Sequence, residues 1–257
     1  MKRWLATVRL DVLLQARNQL YPVGIAVALG VGGLVRWVTA PELLPRFLPA
    51  FLFLGLGSTT WMFGAAMILF EKQQQTVDAM RVTPLRPTEY LMSKLVTLTL
   101  FAMLESLIVL AVNYDVALLE GIRWAILLPA MSVVGAIYTL IGVAQVVSAR
   151  NIAEFLIPGA VVLGLIVQLP LLAQLGVSEH WIWYVVPTGG PLWLLQGAFH
   201  PLSPGQWAYA VVVTPVFALG LSWLALRRLE VHVFGTRRMG SARRARSDEF
   251  RSERPGA

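Results

Sequence analysis

Six stretches of this chain carry almost no charge, and each is long enough to cross a bilayer. They run from Asn18 to Val35, Phe47 to Phe70, Leu95 to Tyr114 with only Glu105 inside, Trp124 to Ala149, Phe155 to Ser178 and His180 to Leu226. The hydrocarbon core of a bilayer is about 30 Å thick and a helix rises about 1.5 Å per residue, so about 20 apolar residues make one span. The last window holds 47 residues and is interrupted by Pro187, Pro191, Pro201 and Pro204. Its end is expected to be the span, and the part before it a loop that dips into the membrane without crossing. The expected fold is an all-α integral membrane protein with six transmembrane helices at about 19–39, 47–70, 95–114, 124–148, 155–177 and 206–226.

The positive residues set the orientation. With a cytoplasmic N-terminus, the inner segments collect 18 of the 21 Lys and Arg residues, leaving only Arg36, Arg46 and Arg123 outside. The positive-inside rule then places both termini in the cytoplasm. Trp37, Trp124, Trp181, Trp183 and Trp207 map near the outer interface, where an indole keeps its ring in lipid and its N–H wet.

At 57% hydrophobic residues, the chain is expected to form one membrane domain over residues 1–234, without room for a separate soluble catalytic domain. Of the net charge of +7, the segment from Arg227 onward supplies +5, from nine Arg against four acids. Residues 235–257 read as a basic, disordered cytoplasmic tail facing anionic lipid or a specific partner, and nucleic acid is not expected. No cysteine is present, which excludes disulfides and thiolate metal sites. Arg9, Asp11, Gln15 and Arg17 break any apolar core that a cleaved signal would need. Leu5, Val8, Val12 and Ala16 instead stand at helical spacing with charges on the other face, describing an N-terminal helix in the inner interface.

The most informative segment runs from Glu71 to Lys94. Glu71 to Met80 reads as helix, and Thr83-Pro84 and Arg86-Pro87 stop it, because a residue before proline is pushed out of the helical region. Thr88 is expected to cap a new helix starting at Glu89. A short helix, a proline-defined turn and a restart make a compact structured loop on the cytoplasmic side. Here the chain resembles the permease subunits of ABC type-2 exporters, on Glu71, Lys72, Thr76, Thr83-Pro84-Leu85, Glu89-Tyr90-Leu91 and Lys94 in order and spacing. Gln75 departs from the pattern, standing where glycine is usual, so a backbone step that needs glycine is in doubt there. The phrase Val-Thr-Pro-Leu-Arg-Pro-x-Glu-Tyr-Leu is most similar to bacterial permeases assigned to fluoroquinolone or multidrug export.

The resemblance implies a permease subunit in the bacterial cytoplasmic membrane, exporting a hydrophobic or amphipathic solute such as a drug. It implies pairing with a second permease chain, identical or not, and with two ABC ATPase subunits that carry the ATP and Mg2+. It makes the loop a coupling helix, with Glu71, Lys72, Thr76, Asp78, Met80, Arg81, Pro84, Leu85, Glu89 and Lys94 at the ATPase. The apolar, broken stretch from Trp181 to Gly197 would fold into two short re-entrant helices that close the pathway from outside, shaped by Pro187, Gly189 and Gly190. Passive packing of that region is the alternative.

Other chemistries lack their residues. There is no Gly-x-x-x-x-Gly-Lys-Ser/Thr loop to cradle a nucleotide, and no Gly-x-Ser-x-Gly. His180, His200 and His232 have no neighbour at metal-ligand spacing, so no metal site, bound cofactor or catalytic residue is expected. One acid lies deep: Glu105, about halfway along the third span. At that depth it must be protonated, hydrogen-bonded or beside water. It either lines the path of a polar or cationic substrate or is a neutral acid bonded to a neighbouring helix. An ion-coupled secondary transporter and a non-transporting scaffold remain alternatives, disfavoured by the sparse intramembrane charge and by the lack of a catalytic constellation.

Overall fold

A backbone in lipid has no water to satisfy its N–H and C=O groups, so apolar windows of this length fold as helices that bond to themselves. The computed structural model describes residues 2–76, 85–113, 121–174 and 185–234, and all of its regular structure there is helical. In chain order the helices are α1 (Lys2–Arg17), α2 (Leu20–Val38), α3 (Leu44–Gln73), α4 (Pro87–Val112), α5 (Trp124–Val146), α6 (Ile152–Val162), α7 (Pro170–Gln174), α8 (Gly189–Phe199) and α9 (Pro204–Leu229). Five of these segments are long and apolar enough to cross a membrane: α2, α3, α4, α5 and α9.

The fifth expected span, 155–177, is the exception. Its α-helix ends at Val162 and passes into a π-turn over Leu163–Val167, where the Gln168 N–H donates to the Leu163 carbonyl. Pro170, which has no N–H to continue the ladder, then opens α7. A break stands where one straight span was expected, and the last residues of that span, 175–177, lie outside the described residues.

The core forms around α3 and α5, which share the most extensive contact in the molecule. Leu48, Phe53, Ile68, Leu127, Met131 and Tyr138 are fully buried between them and their neighbours. α4 packs on α5, α2 packs on α4, and α8 is held against α5, α9 and α3. α2 and α9 bury little of their apolar surface and lie at the periphery, where Val212, Val216, Leu219 and Trp223 are exposed.

Local chemistry explains the boundaries that differ from expectation. α4 starts at Pro87, not Glu89: proline at the first helical position loses no hydrogen bond, and Glu89 reaches back to accept from the Arg86 N–H at 3.0 Å. α3 ends at Gln73, and Gln75 takes a left-handed conformation with φ 55°. The glycine-type backbone step is therefore kept without glycine. Residue 76 is helical again, and the remainder of the helix expected to reach Met80 lies outside the described residues.

The polar face of α1 meets protein. Thr7, Asp11 and Gln15 form the buried stripe, while Leu5, Leu10, Val12 and Leu13 are exposed. The helix turns its polar side inward because partners for it wait there, and it leaves its apolar side to the surroundings.

Candidate functional site

Three elements meet at the end of the bundle that carries Lys72, Lys94 and Arg228. α1 brings Asp11, α3 brings Glu71 in its last turn, and α4 brings Lys94 in its second turn. The Lys94 ammonium donates to Asp11 Oδ1 at 2.5 Å and also to Glu71 Oε1. All three residues are almost completely buried. The Tyr90 hydroxyl donates to the other Glu71 oxygen at 2.5 Å, and the same ring lies 4.9 Å from the ammonium. Tyr90 also meets Phe234 edge-on, at the end of the π-turn that follows α9.

One turn deeper, Gln15 donates to Thr97 Oγ1 at 2.9 Å and accepts from the Tyr21 hydroxyl at 2.8 Å. The cluster therefore clamps both ends of the segment between α3 and α4 to the N-terminal helix. A buried ammonium with two carboxylates and a phenol is held this way because each charge would otherwise lack a partner away from water.

Lys72 is placed differently. Its ammonium donates to the carbonyls of Val146, Val147 and Ala149, at 3.1, 2.7 and 2.8 Å, and so caps the end of α5. Carbonyls at a helix end lack the i+4 donor of the helix interior, although that of Val146 also accepts from the Ala149 N–H at 3.0 Å, and the dipole there favours a cation. Arg228 adds a second donor to the same end, through the Ala144 carbonyl at 2.8 Å.

Of the residues expected to contact a partner, Glu71 and Lys94 thus face each other inside the chain. Lys72 is half-buried on α5, and Glu89 is engaged in the start of α4. Thr76 and Leu85 flank the loop and are half-buried. Asp78, Met80, Arg81 and Pro84 lie outside the described residues, as do Trp181, Trp183 and the tail over 235–257.

Glu105 sits in the middle of the bundle, 5% exposed, among α2, α3 and α4. Its Oε2 is 2.7 Å from Thr59 Oγ1, which is also 2.8 Å from the Gly55 carbonyl. Thr59 has one hydroxyl hydrogen, so both contacts are full hydrogen bonds at once only when Glu105 carries a proton and donates it. Oε1 is buried without a partner among the described residues. A Cβ on Gly24 would stand 2.3 Å from that oxygen, so α2 makes room for the carboxyl by having glycine there. A small cavity beside it is lined by Val27, Val31, Phe51, Leu52 and Ser106.

At the opposite end, Pro187 lies in the turn before α8, and Gly189 and Gly190 form the buried first turn of that helix. A Cβ on Gly190 would stand 2.5 Å from Thr214 Oγ1 on α9, so glycine allows the two helices to touch. Tyr209 of α9 donates to the Val186 carbonyl at 3.1 Å and meets Trp193 edge-on. The His200 ring Nε2 donates to the Pro45 carbonyl at 2.9 Å, tying the end of α8 to the start of α3. α8 is thus a short helix enclosed by protein.

The pattern of the Fluoroquinolones export permease protein family matches residues 2–237. The chain belongs to that family. Two proteins of Mycobacterium tuberculosis, from strains CDC 1551 / Oshkosh and ATCC 25618 / H37Rv, are each named a fluoroquinolones export permease protein. Each is 28% identical over 226 residues, covering 86% of this chain and 92% of the relative. The chain is accordingly a multi-pass membrane protein and an export permease subunit, a class that is not itself catalytic.

Within this permease, sequence reasoning missed Asp11, Gln15 and Tyr90 as parts of the cluster. One signal was available for Asp11: it is the only acid in α1 and stands at i, i+4 spacing between Thr7 and Gln15.

Proposed function

We propose that this permease is the membrane half of an ATP-driven ABC exporter, pairing with a second permease chain and with two ATPase subunits. Its solute is hydrophobic or amphipathic, with fluoroquinolones the first class to test because the relatives are named for them. The observation that carries the reading is the buried Asp11–Lys94–Glu71 cluster, which supports a rigid connection between the segment 74–86, the N-terminal helix and two spans. A force applied to that segment is transmitted because its flanks are fixed: Glu71 and Lys94 join α3 to α4, and Lys72 joins α3 to α5. The ATPase-facing surface is then Thr76, Asp78, Met80, Arg81, Pro84 and Leu85, with the buried charges as its anchor. Six crossings are completed by residues 152–174, which suffice in length, at about 1.5 Å per residue, for a broken fifth span. The basic end is cytoplasmic on the positive-inside rule, and α8 with the chain before it closes the outer side.

A paired arrangement gives alternating access when ATPase closure tilts the two segments, a rigid-body transition of a known kind. Glu105 offers the solute path one hydrogen-bonding group within an apolar wall. Co-expression with a candidate ABC ATPase, followed by purification in mild detergent, tests the assembly. Recovery of both chains, and their separation in a Met80→Asp variant that still inserts in the membrane, is the expected result. Purification of the permease alone under conditions that keep known ABC complexes together would refute it.

A further inference from the structure

Where the basic end of α5 meets α6 and α9, a cleft of about 410 Å³ lies outside the ion cluster and away from Glu105. That size falls within the range of small-molecule sites. Gln145, Ser148, Glu154, Pro158, Val162 and Arg228 line it. Its inner wall is fixed: Trp61 donates through Nε1 to Gln145 Oε1 at 2.7 Å, and the indole lies against Phe155 with ring centroids 4.4 Å apart. Both rings are buried.

The two charges lining the cleft have opposite sign and capacity to spare. Arg228 places one N–H on the Ala144 carbonyl, and a guanidinium has five N–H donors in a planar fork suited to carboxylate or phosphate. The neighbouring Lys72 has three ammonium hydrogens and donates to three carbonyls, and among the described residues that line the cleft Arg228 is the cation able to receive an anion. Glu154 accepts from the Arg150 N–H at 2.8 Å and from Asn151 Nδ2 at 3.4 Å. An ionised carboxylate offers about four acceptor positions, so an ammonium can still bind it. Pro158 and Val162 supply apolar surface beside these groups.

We propose that this cleft binds a zwitterionic amphiphile, with its anion on Arg228, its protonated amine on Glu154 and its apolar or aromatic body along Pro158 and Val162. Two sources carry that chemistry: an exported aromatic amino acid-like solute, such as a piperazinyl quinolone, and the headgroup of phosphatidylethanolamine. The solute source rests on the export reading above and makes the cleft an entry site at the expected cytoplasmic end.

The test uses the full-length chain in maltoside detergent, without ATPase or ATP. A fluorescent piperazinyl quinolone acid and its methyl ester are titrated against wild type, Arg228→Gln and Glu154→Gln, the last retaining an oxygen that can accept from the Arg150 N–H. With the solute as occupant, the acid binds at least tenfold more tightly than the ester, and each variant weakens the acid about tenfold. With the lipid as occupant, native mass spectrometry shows retained phosphatidylethanolamine on wild type that both variants lose, and added lipid displaces the quinolone. Either result sustains the site and identifies what fills it. Equal binding of acid and ester, together with lipid retention unchanged by both variants, overturns it. ATP-driven transport is measured separately in inverted vesicles. Charge-dependent binding without transport would remove the export reading and leave the site, whereas transport with both variants neutral in binding would do the reverse.

Discussion

Replacing Lys94 by Met removes the one cation that holds two buried carboxylates. At the 2.5 Å separation from Asp11 Oδ1, a pair interacts by roughly 7 kcal/mol at an effective dielectric constant of about 20. Desolvation of the charges offsets much of this, and the loss on breaking a buried pair is about 3–5 kcal/mol. For a chain of this size, that corresponds to a fall in melting temperature of roughly 6–20 °C. Tryptophan fluorescence, from the nine Trp residues, follows the transition in detergent or nanodiscs. The triple variant Asp11→Asn, Glu71→Gln, Lys94→Met leaves no unpaired charge and is expected to recover most of that loss, since neutral replacements of buried ion clusters are often tolerated. It should nevertheless transport poorly if rigid anchoring of the segment matters. A single Lys94→Met variant that melts within 2 °C of wild type would refute the reasoning, as would a triple variant no more stable than the single one.

Three further outcomes follow from individual residues. Gln75→Gly relieves a side chain from the left-handed region and should stabilise the permease by about 0.5–1 kcal/mol, whereas Gln75→Val should destabilise it; thermal melting of both variants checks this. Gly190→Val puts carbon where Thr214 Oγ1 now lies and should cost about 1–3 kcal/mol by forcing α8 from α9, lowering transport while assembly, read by co-purification, persists. Glu105→Gln keeps a donor for Thr59 and the side chain's shape, so stability should change by less than about 0.5 kcal/mol, while transport of cationic solutes falls more than that of neutral ones; equal transport of both classes would make Glu105 purely structural.

Much of the helical layout was legible in charge-free windows, because lipid leaves so few solutions for an apolar backbone. Glu105 was visible as an anomaly for the same reason: an acid inside such a window stands out. Proline read well as a boundary mark but not to the residue, since Pro87 opens α4 where Thr88 was the expected cap. The ion cluster was not legible. Lys94 finds Asp11 across 83 positions and Glu71 across 23, and no local pattern announces a pairing made only when three helices pack. The same packing draws the polar stripe of α1 inward, a docking that its apolar spacing does not announce. The interruption of the expected fifth span depends on a π-turn within an unbroken apolar run, where hydropathy carries no signal. The cleft around Arg228 and Glu154 gathers residues from α5, α6 and α9, and none of them forms a motif in sequence.

The central claim is ATP-driven export by this chain together with a separate ATPase, and inverted membrane vesicles test it most directly. Vesicles containing the permease and its co-expressed ATPase should accumulate a fluorescent quinolone on addition of ATP and Mg2+, continue to do so after the proton gradient is collapsed, and stop when Met80→Asp separates the two chains. Accumulation that needs no ATPase and disappears with the proton gradient would contradict the account.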